Sequence, residues 1–318
     1  VEIFRNPTST DLEGFLNESG VVATVGVFDG AHLGHQMIFS KVIGDAVVRD
    51  VPSVVVTFEP HPALILRPEN APKLLTGFDQ KMDLLAKAGF DAAVVFDFNK
   101  EFVSYTALDF VEKILVKTLA VKKVIVGADF HFGAKREGNI DMLTSLGDRF
   151  GFEVEGLKLL TQQSKDTLFI SSTEIRRALA GGDISKANKM LGHSHEVSGV
   201  VVHGDKRGRE IGFPTANVFV DDAMALPSDA VYAGWFFRAN GEKHKCAINI
   251  GKRPTFHQDA TESLLEAHLI DFKGDLYDEV VRVQFIELLR SEKRFAGLEQ
   301  LKTQLALDVQ AALAILGD

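Results

Sequence analysis

The stretch Val21-Val22-Ala23-Thr24-Val25-Gly26-Val27-Phe28-Asp29-Gly30-Ala31-His32-Leu33-Gly34-His35 decides the fold class. Its first part, Val21–Phe28, is β-branched and nearly unbroken in apolar character, the pattern of a strand covered on both faces. Glycines then interrupt the run, and an amphipathic stretch follows from His35 to Arg49. The alternation recurs. Ser53–Phe58, Ala92–Phe98 and Lys123–Gly127 read as strands, while Phe78–Ala88, Ala107–Leu119 and Ile140–Phe150 read as helices. Phe152–Leu157 adds a fifth strand, and Ser172–Ala180 and Ile184–Leu191 add two closing helices. Strand–helix–strand order implies right-handed crossovers, hence an α/β doubly wound parallel sheet. Ligands of such sheets bind outside the carboxyl ends of the strands, here Phe28–Asp29, Phe58–Glu59 and Gly127–Asp129.

After Gly192 the pattern changes. His195–His203, Ala230–Arg238, Lys245–Ile250, Glu262–Asp271 and Glu279–Leu289 read as antiparallel strands, with a hairpin signal at Asn240-Gly241. One helix, Leu298–Leu316, ends at Gly317. The expectation is a first domain over residues 1–192 and a small antiparallel β-barrel with a C-terminal helix over residues 193–318.

At 318 residues, 46% hydrophobic and 25% charged, the chain has the apolar surface that disordered chains lack. No apolar run approaches the ~18 residues of a membrane span, and Val1–Pro7 lacks the apolar core of a signal peptide. The single cysteine, Cys246, excludes an intrachain disulfide and a cysteine-rich zinc site. A cytoplasmic protein is expected, with neither membrane nor nucleic acid as partner, because the net charge of -9 opposes general phosphate attraction. A mononucleotide site survives that argument, since a few backbone amides and one or two cations suffice. Homo-oligomerisation is left open.

His32 and His35 stand three apart across a turn into a helix, beside Gly26, Gly30 and Gly34. They read as surface residues, a local cap, a metal pair with Asp29, or donors to one phosphate group. Their place at the end of the first strand favours the phosphate. Ile170-Ser171-Ser172-Thr173-Glu174-Ile175-Arg176 carries the same logic: hydroxyls cap a helix and Arg176 can fork onto phosphate oxygens. Taken alone it is also an ordinary capped helix.

Together these segments resemble the HxGH nucleotidyltransferase superfamily. Thr57-Phe58-Glu59-Pro60-His61-Pro62 and Val126-Gly127-Ala128-Asp129-Phe130-His131-Phe132-Gly133 narrow the resemblance to the adenylyltransferase module of bacterial bifunctional riboflavin kinase/FAD synthetase. By that resemblance His32, His35, Ser172, Thr173 and Arg176 hold the ATP phosphates, with Gly26, Phe28, Asp29, Gly30 and Gly34 forming the loop. Asp129, Phe58 and His61 are implied for the flavin pocket. Val27 departs from the family, which commonly has asparagine there. The implied chemistry is in-line attack of the FMN phosphate on the α-phosphorus of ATP, giving FAD and pyrophosphate. Histidines suit it as donors that gain charge near neutral pH.

Gly204, Gly208 and Gly212, with Lys206, Arg207 and Arg209, form a glycine-rich basic loop that alone reads equally as a surface hairpin. Thr215 and Asn217 point to one face of an extended segment and present hard neutral oxygens suited to Mg²⁺. In Glu262–Asp271, Leu265, Ala267 and Leu269 share one face, and Glu262, Glu266 and His268 the other, where a lone glutamate is usually solvated. With Asn249-Ile250-Gly251-Lys252-Arg253-Pro254-Thr255-Phe256 and Leu289-Arg290-Ser291-Glu292-Lys293-Arg294-Phe295, these segments resemble the riboflavin kinase module. The resemblance implies that Gly204, Lys206, Gly208, Arg209 and Gly212 bind ATP, and that Thr215 and Asn217 bind Mg²⁺–ATP. It also implies that Glu266 takes the proton of the riboflavin 5′-hydroxyl. Expected substrates are riboflavin, FMN and ATP. Two alternatives remain: one active domain with a binding module, or a non-enzymatic flavin-binding protein.

Overall fold

The computed structural model describes residues 1–16, 20–158, 170–204, 207–252 and 263–317. It divides into two compact units, residues 1–72 with 78–169 and residues 73–77 with 170–318.

The first unit is a six-stranded sheet with every pair parallel, in the order β1-β4-β3-β2-β5-β6. Its strands are β1 (Glu2–Arg5), β2 (Val21–Val25), β3 (Ser53–Glu59), β4 (Ala92–Asp97), β5 (Val121–Gly127) and β6 (Glu153–Leu157). β1 is an edge strand of mostly exposed residues with no alternating pattern, so its sequence carries no strand signal. β2 is buried throughout and stops at Val25, three residues short of the expected end, because Phe28 takes a left-handed φ of 53°.

Helix α1 (Leu33–Arg49) follows β2, the short α2 (Pro62–Leu66) and α3 (Phe78–Ala88) follow β3, and α6 (Ile140–Phe150) follows β5. Between β4 and β5 run α4 (Lys100–Val103), α5 (Ala107–Asp109) and a π-helical segment, Phe110–Thr118. Val22, Val55 and Ile125 pack with Phe39 and Leu85 of α1 and α3. Val21, Val54 and Val124 pack with Phe110, Leu115 and Leu143 on the other face. Opposite faces on the two sides of β2 make the sheet doubly wound. The switch point lies between β2 and β5, where the loops after them leave in opposite directions and open a crevice.

The second unit is a closed six-stranded barrel in the order β10-β11-β8-β7-β12-β9. Its strands are β7 (His195–Val202), β8 (Ala216–Val220), β9 (Ala230–Phe237), β10 (Lys243–Lys252), β11 (Ser263–Leu269) and β12 (Val280–Ser291). A short α9 (Arg207–Glu210) precedes β8, and α10 (Leu298–Leu316) ends the chain. Arg290 holds α10 to β12 through three bonds to the buried Asp308 carboxylate, at 2.7 to 3.1 Å. Helices α7 (Ser172–Ala180) and α8 (Ile184–Leu191) also belong to this unit: Ile175, Leu179, Ala187 and Met190 share the barrel's apolar cluster with Val197 and Phe285. The packing therefore divides before α7, whereas the sequence expectation placed the boundary after Gly192. Segment 73–77 joins the same unit, with Leu74 N donating to Ala223 O and Ala225 N to Leu74 O.

Candidate functional site

In the first unit the site grows from the loop after β2. Gly26 donates to Val56 O at 3.0 Å, and a Cβ at Gly26 would meet the Phe28 ring at 2.8 Å. Glycine there lets Phe28 turn inward, edge-on to His35 and Phe39. Phe28, expected in the phosphate loop, is thus a buried support beneath His35, and any phosphate contact from it falls to the backbone.

His32 is the N-cap of α1, its Nδ1 accepting from His35 N at 3.3 Å. An accepting Nδ1 leaves the proton of the neutral ring on Nε2, so His32 presents a donor. The two imidazoles lie stacked, 3.6 Å between centroids and 16° between planes. Burial, then the neighbouring His32, hold the His35 pKa well below the usual histidine range. The buried His35 ring therefore favours its neutral form. Its Nδ1 is a buried atom without a hydrogen-bond partner among the described residues. Asp29 is buried beside the loop, and Gly30 has a φ of 85° that favours glycine.

His61 repeats the device at the end of β3, capping α2 with Nδ1 accepting from Ala63 N at 3.1 Å. Phe58 sits among rings, with Phe98 and Phe102 at 5.7 and 5.5 Å. Phe102 meets Phe110, Phe110 meets Phe132, and Phe132 stacks on Phe130 beside Asp129. This ring ladder links the ends of β3 and β5. Asp129 itself is exposed, and its carbonyl accepts from His131 Nδ1 at 2.8 Å.

Ser172, Thr173 and Arg176 lie in the second unit. Ser171 is the cap of α7, its Oγ accepting from Glu174 N at 3.2 Å, while Ser172 and Thr173 open the helix. Arg176 Nε donates to Lys73 O at 2.5 Å, and Arg177 pairs with Glu174.

In the barrel, Leu265, Ala267 and Leu269 fill the interior as expected, leaving Glu266 and His268 on the other face. Glu266 stands opposite Asn217 of β8 and Asn249 of β10, forming a row across three strands. His268 Nδ1 donates to Pro214 O at 2.7 Å and so ties the segment carrying Thr215 to β11. Thr215 is exposed and Asn217 buried. A Cβ at Gly204 would strike the Asn217 carboxamide, and one at Gly208 would strike Phe213 O and approach Thr215 Oγ1 to 3.5 Å. The glycines thus keep backbone close to both hard oxygen donors, a fit to a cation that already carries phosphate oxygens. No group of three or more His, Cys, Asp or Glu among the described residues could hold a metal alone. Arg209 is exposed and Gly212 has a φ of 88°; Lys206 and Glu262 lie outside the described residues.

The FAD synthetase family model matches residues 15–174 and the riboflavin kinase model residues 191–316. A bifunctional riboflavin kinase/FMN adenylyltransferase of Pseudomonas fluorescens is 42% identical, over 93% of each chain. The chain belongs to the bifunctional riboflavin kinase/FMN adenylyltransferase family. The Escherichia coli K12 member is 37% identical over 94% of each chain. A solved Streptococcus pneumoniae structure, described as a macrolide-efflux protein, superposes with a TM-score of 0.83 at 29% identity, covering 98% of this chain and 99% of that one. No described helix here is long and apolar enough to cross a membrane.

Two features of this family member escaped sequence reading. Asn249 joins the Glu266 row only through strand register, which local pattern does not carry. Lys81 is buried under the loops, and its signal was a charge on the apolar stripe of Phe78, Met82 and Leu85.

Proposed function

We propose that the chain converts riboflavin and ATP to FMN within residues 193–318, and FMN and ATP to FAD within residues 1–192. The observation that carries this is the consecutive match of the FAD synthetase and riboflavin kinase models to one chain. Both reactions consume ATP, in keeping with a cytoplasmic enzyme.

For FAD synthesis, an FMN phosphate oxygen attacks the α-phosphorus of ATP, the new P–O bond forms in line, and the bond to pyrophosphate breaks. The protein's part is orientation and stabilisation of charge on the five-coordinate phosphorus. His32 Nε2–H and the loop Gly26–Gly34 serve as phosphate donors, and the family resemblance assigns Ser172, Thr173 and Arg176 to ATP. This needs Arg176 to trade or share its bond to Lys73 O. The charge of the anionic ligand would favour uptake of a proton from solvent by the buried His35 ring. Phe58, His61 and Asp129 are assigned to FMN, in keeping with the ring ladder at that end of the sheet.

For FMN synthesis, Glu266 accepts the 5′-hydroxyl proton as the oxygen attacks the γ-phosphorus, and the bond from that phosphorus to ADP breaks. Thr215 and Asn217 hold Mg²⁺–ATP, and Gly204, Lys206, Gly208, Arg209 and Gly212 form the loop over the phosphates. Mg²⁺ supplies neutralisation of charge on the transferred phosphoryl group.

The purified chain, incubated with riboflavin, ATP and Mg²⁺, is expected to form FMN and then FAD, resolved by chromatography. FMN without FAD would leave only the barrel active; FAD from supplied FMN, without FMN from riboflavin, would leave only the first domain.

A further inference from the structure

Lys81 is 5% exposed, and an ammonium that deep requires partners. Its Nζ donates to Phe58 O at 3.3 Å and to Thr57 Oγ1 at 3.4 Å, with Glu59 Oε2 at 4.0 Å. Thr57 Oγ1 in turn donates a hydrogen bond to Val27 O at 3.3 Å. Two links therefore connect the buried cation to the loop that carries Asp29, Gly30 and His32. Asp29 is itself 5% exposed. Burial lowers the Lys81 pKa, while the charges of Glu59 and then Asp29 oppose that fall and favour the ammonium. A helix-surface lysine would need none of this.

We propose that Lys81 is a positioning residue for adenylyl transfer: its ammonium is the counter-charge to Glu59 and, through Thr57, pins the loop that carries Asp29 and His32 to the end of β3. The role rests on the adenylyltransferase reading above. A Glu59 carboxylate without its counter-charge, at a strand end of the kind where ligands of such sheets bind, would repel a triphosphate. Methionine at this position fills similar volume and removes the charge together with the bonds to Phe58 O and Thr57 Oγ1.

The test uses the full chain as Lys81→Met, Lys81→Arg, Glu59→Gln and the Lys81→Met/Glu59→Gln double variant. FAD synthesis from supplied FMN is measured against ATP concentration, and riboflavin phosphorylation in the same sample reports on folding. Lys81→Met is expected to raise KM for ATP by about tenfold or more, with FMN formation unchanged. Lys81→Arg restores much of the loss, and the double variant recovers part of it, giving a coupling between the two sites. Wild-type KM and kcat in Lys81→Met, or strictly additive effects in the double variant, overturn the role. Should Lys81→Met fold poorly, Glu59→Gln alone decides: it leaves the ammonium in excess and is expected to lower KM for ATP, and an unchanged KM overturns the neutralisation. Absence of FAD from the wild-type chain refutes the adenylyltransferase reading instead.

Discussion

Glu266 on β11 stands directly opposite Asn217 on β8, with Asn249 on its other side. The register of the closed barrel sets this carboxylate between two carboxamides, at the position assigned to accept the proton. Glu266→Gln retains volume and removes basicity, so FMN-forming turnover is expected to fall by ~10²–10⁴-fold. FAD synthesis from supplied FMN continues. Glu262→Gln is the control, and its becoming the crippled variant would displace Glu266 from the role.

His32 combines two duties that substitution can separate. His32→Ala removes both the Nε2 donor and the cap of α1. FAD formation is expected to drop by about 10²–10³-fold, with a loss of stability near 1 kcal/mol. His32→Asn returns the cap without the imidazole, so it regains stability but not FAD synthesis. Recovery of both in His32→Asn would reduce His32 to a structural residue.

The barrel's glycine-rich loop gives a steric test. Gly204→Ala drives a methyl group into the Asn217 carboxamide, and Thr215→Val removes the other oxygen. Each is expected to lower riboflavin phosphorylation on the order of tenfold or more. Excess Mg²⁺ restores Thr215→Val if Thr215 supplies affinity alone, and fails to do so if it also sets geometry. Full kinase activity in Thr215→Val would take that residue out of the site.

His195 makes the stability of the barrel unit pH-dependent. Its ring is buried, stacked on Phe285, and donates Nε2–H to Ala225 O at 2.8 Å. Burial lowers its pKa to about 4, outweighing the Ala225 bond that raises it. The unfolded chain, titrating near 6.5, therefore takes up the proton first as pH falls. The stabilisation is complete above about pH 6.5 and is lost progressively toward pH 4, amounting to about 3 kcal/mol. Denaturant unfolding of His195→Gln across that range is expected to show a shallower fall than the wild type. Parallel curves would remove His195 as the cause.

Local pattern determined much of this protein. The buried runs of β2 to β5, the amphipathic α1, α3 and α6, and the caps at His32 and Ser171 act over a few residues, so their signals lie within a few residues. Motif order along the chain likewise carried the family resemblance. Packing decided the rest. Helices α7 and α8 joined the barrel unit because Ile175, Leu179 and Met190 are buried in its apolar cluster, a partnership that helical periodicity leaves unspecified. β1 exists only because β4 offers it an edge. Lys81 shows in the sequence only as a charge on the apolar stripe of α3, packing alone sets it against Thr57 and Phe58, and Asn249 meets Glu266 only in the register of a closed barrel. Side-chain chemistry is written in the sequence, but burial and long-range register, which select among its uses, arise only when distant segments pack.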